Sequence, residues 1–303
     1  MDHLKFFDRV EALPYLGIGV STEYAAGDIA HALDVLLLRE ERPEYAQFLE
    51  VGVEVSVGLD SHVEGWLGHG FPTTYHFLDL NLDEPEDFDV DWVERAQNIA
   101  AMLRPAWVCG DAGLWHFGPR ERGHMLLLPP ILSEESAEAL ARGIRTLRST
   151  LNLEVFPENP PGAFFLGDMH ILEYFERVCV LADTGMLLDC AHLTMHQKAR
   201  GLQPLAKLDA FPWERVVEMH VAGGSPKNHE GFAFVEDDHT NNVLDETWEI
   251  FEFAVERAQN LKAVVFECER NSMEEVIGGF DRIAGVLDKH PGFVKAKATG
   301  EIR

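Results

Sequence analysis

A chain of 303 residues, 46% of them hydrophobic, has ample material for a large core and fits one barrel or two ordinary domains. Its 52 acidic against 25 basic residues give a net charge of −27, which disfavours extended nucleic-acid binding, because phosphate tracking draws its affinity from Lys and Arg. No run of about 18 apolar residues appears, and Met1-Asp2-His3-Leu4-Lys5 lacks the regions of a signal peptide, so no membrane span and a cytoplasmic location are expected.

Along the chain, short β-type runs alternate with longer helical ones. The expected strands are Tyr15–Val20, Phe48–Val57, Thr74–Leu80, Trp107–Cys109, Leu153–Phe156, Met186–Leu188, Val216–Val221 and Ala263–Phe266. Helical periodicity marks Asp91–Leu103, Ser133–Leu151, His170–Leu181, Glu246–Gln259 and Met273–Leu287. Ser133-Glu134-Glu135-Ser136 has the hydroxyl cap and acidic first turn that the helix dipole favours. Eight strands with intervening helices predict an α/β fold, a (β/α)8 TIM barrel. A doubly wound sheet is the alternative, but Gly17-Ile18-Gly19 lacks the third glycine of a dinucleotide-binding turn. No Pro/Gly/Ser-rich linker divides the chain. One domain over residues 1–303 is expected, with a peripheral tail over 291–303 that carries Lys295 and Lys297 and little apolar content. Cys109, Cys179, Cys190 and Cys268 form no C-x-x-C pair and read as buried free thiols.

In such a barrel, chemistry gathers where strands end and βα loops begin. His76, Asp111, Glu158, Asp189, His220 and Glu267 all close or follow a strand-like run. His192 is expected in the loop three residues after Asp189. Asp237 and His239 are two apart, so in an extended segment both face one way and could share an ion. A single strand-end Asp is more often a helix cap, and a lone His more often a satisfied core or surface group. His3, His31, His62, His170 and His290 take that bland reading. Nine candidates in barrel order instead point to a multinuclear metal site. One ion takes roughly four to six N and O donors, so two or three ions sharing a carboxylate suit nine ligands, with Glu158 best placed as the bridge.

That series resembles the trimetal layout of the xylose-isomerase-like barrel superfamily. Within it, finer motifs resemble the multinuclear non-heme iron-dependent oxidative enzymes (domain of unknown function 692, methanobactin-biosynthesis-oxidase-like). They are Phe48-Leu49-Glu50-Val51 with Glu54, Leu126-Leu127-Leu128-Pro129-Pro130, Glu158-Asn159-Pro160, Met186-Leu187-Leu188-Asp189, His220-Val221-Ala222-Gly223-Gly224 and Asp237-Asp238-His239. Order and spacing match over roughly Leu13 to Arg270; the series is specific where no single motif is. The chain departs from the pattern at three places. Asp111 is followed by Ala112, with His116 the nearest histidine and the substitute ligand. His192 stands where the family commonly has Asn, and Gly224 where a His is frequent.

The resemblance implies an oxidoreductase with two or three iron ions (Fe2+/Fe3+) that uses dioxygen on a cysteine of a ribosomally made precursor peptide. A small leader-peptide-binding companion protein is implied as a partner. It further implies a central ion on Glu158, Asp189, His220 and Glu267, a second on His76, Asp111 and Glu158, and a third on His192, Asp237 and His239. Asn159 would orient Glu158, and Glu54 would stand behind the ligands. Two other readings use the same ligands: a zinc- or manganese-dependent phosphoesterase or sugar isomerase, and a metal-binding barrel without catalysis.

Overall fold

The computed structural model describes residues 5–22, 33–118 and 126–302. His3 and His31 lie outside them. Eight parallel strands close into a barrel: β1 (Gly17–Thr22), β2 (Phe48–Val53), β3 (Thr73–Phe77), β4 (Val108–Asp111), β5 (Val155–Glu158), β6 (Met186–Asp189), β7 (Val216–Ala222) and β10 (Ala263–Glu267). Successive strands are neighbours, and β10 closes the ring on β1. All eight expected strands are present, and the fold is the expected (β/α)8 TIM barrel. One antiparallel hairpin, β8 (Gly224–His229) and β9 (Phe232–Asp237), is inserted after β7. Its residues carry few buried side chains, so no periodic apolar signal announces it.

The helices cover the barrel's outer face. The expected ones appear as α4 (Val90–Leu103), α5 (Glu134–Leu151), α6 (Ile171–Ala182), α8 (Asp245–Val255) and α9 (Met273–Leu287). Ser133 caps α5 by accepting from Ser136 N at 3.3 Å. Sequence periodicity misses α2 (Val35–Glu41), α3 (Ser61–Gly68) and α7 (Cys190–Ala199). In α7 eight of the ten residues are buried, so no polar face marks its period. As a result, His192, expected in a loop, sits in the first turn of a helix that starts directly after β6. Asp189 Oδ1 caps this helix, accepting from His192 N at 2.5 Å.

Inside the barrel, Phe48, Trp107, Phe156, Leu187 and Val265 form an apolar floor. A Cβ on Gly19 would lie 2.4 Å from the Phe48 ring, so only glycine lets that ring cross the floor. The floor is closed from below by α1 (Phe6–Val10), whose Phe6 and Val10 join the cluster. Arg9 of α1 is buried and pairs with Glu154 through Nε–Oε1 at 2.7 Å and Nη2–Oε2 at 3.3 Å. The tail forms α10 (Pro291–Thr299), and Phe293 packs edge-on against Tyr15 at 5.7 Å. Two apolar residues, Phe293 and Ala296, suffice to bury one side of so short a helix. Among the described residues no helix is long and apolar enough to cross a membrane.

Candidate metal centre

The site is built by the two-residue period of the strands. Phe48-x-Glu50, Cys109-x-Asp111, Phe156-x-Glu158, Leu187-x-Asp189 and Val265-x-Glu267 each place an apolar side chain in the floor and an acid one layer above it. Register then aligns the acids. Asp111 pairs with Glu158 across β4–β5, and Asp189 with His220 across β6–β7. His220 lies two residues inside β7 rather than at its end, because β7 runs on to Ala222.

The candidate ligands meet in three groups around Glu158. In the first, His220 Nδ1 faces Glu158 Oε1 at 3.3 Å, Glu267 Oε1 at 3.3 Å and Asp189 Oδ2 at 3.9 Å. In the second, His76 Nε2 faces Glu158 Oε2 at 2.8 Å and Asp111 Oδ2 at 3.9 Å. In the third, Asp237 Oδ2 faces His192 Nε2 at 3.0 Å and His239 Nε2 at 3.4 Å. All nine sequence candidates are therefore together. Asp237 and His239 converge for a different reason from strand alternation: His239 has φ of 49°, a left-handed turn that folds its ring back over Asp237. Asn271 Nδ2 holds that turn by donating to His239 O at 2.8 Å.

His116 is not brought to this cluster. Its Nδ1 meets Gly118 O at 2.6 Å and its Nε2 lies 2.8 Å from Asp87 Oδ2, so the ring is placed beside Asp87 rather than Glu158. Asp111 takes the fourth-strand place. Asn159, expected to orient Glu158, instead clamps the β6 backbone. Its Nδ2 donates to Asp189 O at 2.9 Å, and its Oδ1 accepts from Asp189 N at 2.9 Å. Glu54 lies beyond β2 and accepts from Ser56 Oγ at 3.3 Å.

Two acids in the cluster's immediate surroundings were missed as site residues. Glu50 Oε1 stands 2.9 Å from His220 Nε2, and Glu269 Oε1 2.6 Å from His239 Nδ1. Glu50 shares the apolar-x-acid step of the other strands, and that period could have found it. Glu269 lies past the end of β10 and carries no such signal. Deeper in the barrel, Glu218 accepts from Trp107 Nε1 at 2.6 Å.

The electrostatics call for cations. Six buried carboxylates (Glu50, Asp111, Glu158, Asp189, Glu267 and Glu269) and the half-buried Asp237 crowd around four imidazoles, so negative charge would remain even with every ring protonated. Burial pushes Asp189 up to about 8, with Glu267 and Glu158 adding to it. It likewise drives Asp111 well above the carboxylate range, helped by Glu158. Burial pulls His76 downward, but Glu158, Glu50 and Asp111 outweigh it and hold the ring at about 9. His192, His220 and His239 are raised well above their ordinary value by neighbouring carboxylates against the same burial. Burial opposes ionisation of Glu158 too, yet His220 and His76 keep its carboxyl low. These shifts describe groups competing for protons where metal ions would serve.

Six atoms test that fit directly. Asp111 Oδ1, Glu158 Oε1, Asp189 Oδ2, His220 Nδ1, Asp237 Oδ1 and Glu267 Oε2 are all buried without a hydrogen-bond partner. A buried polar atom left unpaired costs about 1–3 kcal/mol, and more when charged. Hard oxygen and imidazole donors suit iron, manganese or zinc. Burial raises all four thiols, and Cys109 donates to Glu50 Oε2 at 3.1 Å, where Glu50, Cys109 and Glu218 make a further buried group with donor atoms close enough to hold an ion. Above the candidate ligands a cleft opens to solvent, with Ser21, Thr22, Gly52, Trp115 and Leu127 in its wall.

The profile of a family described as RiPP precursor modification enzyme MbnB/TglH/ChrH matches residues 29–287. A UPF0276 protein of Caulobacter vibrioides is 25% identical over 232 residues, covering 75% of this chain and 81% of that protein. A UPF0276 protein of Pseudomonas aeruginosa is 25% identical over 221 residues, covering 68% and 72%. Among solved structures, a xylose isomerase-like TIM barrel protein from Mycobacterium smegmatis in complex with magnesium superposes with a TM-score of 0.54 at 12% identity, over 92% of this chain and 97% of its own. Endonuclease IV from Thermus thermophilus superposes with a TM-score of 0.51 at 16% identity, over 91% and 100%. At such identities the likeness concerns the fold alone.

Proposed function

Because the chain belongs to the RiPP precursor modification enzyme family MbnB/TglH/ChrH, we propose that it is a multinuclear, non-heme iron-dependent oxidase or oxygenase acting on a cysteine of its precursor peptide. The observation that carries the metal reading is the set of six buried oxygen and nitrogen atoms on the candidate ligands that have no hydrogen-bond partner. Glu158, Asp189, His220 and Glu267 would hold a central ion. His76 and Asp111 would hold a second with Glu158, and His192, Asp237 and His239 a third. Iron held by such donors supplies one-electron and dioxygen chemistry, with dioxygen as the co-substrate.

The chain's own residues do the rest. Glu158 directs its two oxygens to two different groups, so it would help hold both the central and the second ion. Asn159 locks the β6 backbone against β5, which keeps Asp189 aimed inward and takes His192 with it. Its main-chain oxygen also meets His192 Nδ1 at 2.9 Å. Trp115 and Leu127 keep one wall of the cleft apolar, while Ser21, Thr22 and Gly52 leave room opposite for an incoming peptide. A leader-binding companion protein would present that peptide.

The test is protein purified without oxygen. Metal analysis should find two or three irons per chain. Oxygen should be consumed only with a cysteine-containing precursor peptide, with a mass change localised to that cysteine. Zinc-loaded protein with full activity on a phosphoester would overturn the reading.

A further inference from the structure

We propose that Glu50 and Glu269 are positioning residues that decide which nitrogen His220 and His239 present to the metal centre. The inference rests on the metal reading above and concerns two residues that it leaves without a role.

A neutral imidazole has one N–H and one lone pair, on opposite nitrogens, and the partner of the N–H decides which nitrogen is free to ligate. His220 turns Nε2 to Glu50 Oε1 at 2.9 Å and Nδ1 to Glu158, Glu267 and Asp189. His239 does the reverse. Its Nδ1 meets Glu269 Oε1 at 2.6 Å, and its Nε2 faces Asp237 and Glu267. The two rings thus turn opposite nitrogens to a carboxylate, Nδ1 of His239 in a hydrogen bond and Nε2 of His220 in an ion-pair approach that is not aligned as one, and this assigns the proton of the neutral ring to Nε2 in His220 and to Nδ1 in His239.

Each carboxylate is itself held. Glu50 Oε2 accepts from Cys109 Sγ at 3.1 Å and from Thr74 Oγ1 at 3.2 Å, and Glu269 Oε2 accepts from Ser21 Oγ at 3.1 Å. Both are nearly fully buried, at 1% and 2% exposure, so water cannot replace them. His192 differs, because its Nδ1 faces the neutral main-chain oxygen of Asn159. An anionic partner makes the ligating nitrogen more basic, and a carbonyl does so less. Glu50 thus acts on the central ion through His220, and Glu269 on the third through His239.

The test uses the full chain loaded with zinc, a diamagnetic probe, and needs no turnover. Long-range ¹H–¹⁵N spectra of the imidazoles should place the proton of His220 on Nε2 and that of His239 on Nδ1. Competition titrations with a chelator should show Glu50→Gln weakening one ion and Glu269→Gln a different one, each by about 10- to 100-fold, in line with loss of a ligand-orienting partner. Variants that bind zinc within twofold of wild type, or both rings protonated on the same nitrogen, would overturn the assignment. Should Glu50→Gln fail to fold, the wild-type spectra and Glu269→Gln still decide it. Wild-type protein that takes up no metal would instead defeat the metal reading itself.

Discussion

Glu158 Oε1 stands 3.3 Å from His220 Nδ1, joining β5 to β7 across the inside of the barrel. The other oxygen of the same carboxylate meets His76 of β3 at 2.8 Å. One side chain thus reaches two histidines that belong to different groups, and the consequences can be measured.

Glu158→Gln should remove more than one ion. The amide keeps the shape but loses the charge that two ions would share, so metal content of anaerobically purified protein should fall by about two per chain. Element analysis checks this, and full metal content in the variant would refute the bridge.

His192→Ala should cost only the third ion. His192 Nε2 lies 3.0 Å from Asp237 Oδ2, the contact that joins it to the third group. Metal content should drop by about one ion per chain with the fold intact by circular dichroism. Collapse of the whole site would show that the three groups are not separable.

Metal uptake should strengthen as pH rises. Without metal, His76 holds its proton up to about 9 and Asp189 up to about 8, so both are protonated at neutral pH and must lose that proton to ligate. Each proton displaced makes apparent affinity rise about tenfold per pH unit below the group's own value, levelling off above it. Calorimetry in buffers of different ionisation enthalpy should count the protons released. Uptake independent of pH between 6 and 8 would contradict the sign.

Arg9→Ala should destabilise the fold without touching the centre. It strands Glu154, 3% exposed, without its buried partner, and breaking such a pair costs about 3–5 kcal/mol. Urea unfolding should show that loss while metal content stays at the wild-type level, because Arg9 lies beneath the apolar floor.

The strand-end candidates were legible because they obey a local rule. Asp111, Glu158, Asp189 and Glu267 each close a strand two residues after an apolar one, and period two is written in the chain itself. Eight such runs also implied the barrel. What local order could not carry was distance between remote segments. Asp111 and His116 are both acceptable ligands by spacing. Only the β4–β5 register, which sets Asp111 beside Glu158, and the contact of His116 with Asp87 separate them. Glu50 and His220 are 170 positions apart, and barrel closure alone sets them 2.9 Å from each other. The chain by itself thus determined which residues face the barrel axis, since strand geometry depends on neighbours two places away. Tertiary structure decided which oxygen meets which nitrogen, since that depends on register, closure and the turn at His239, which are set by packing across the whole ring.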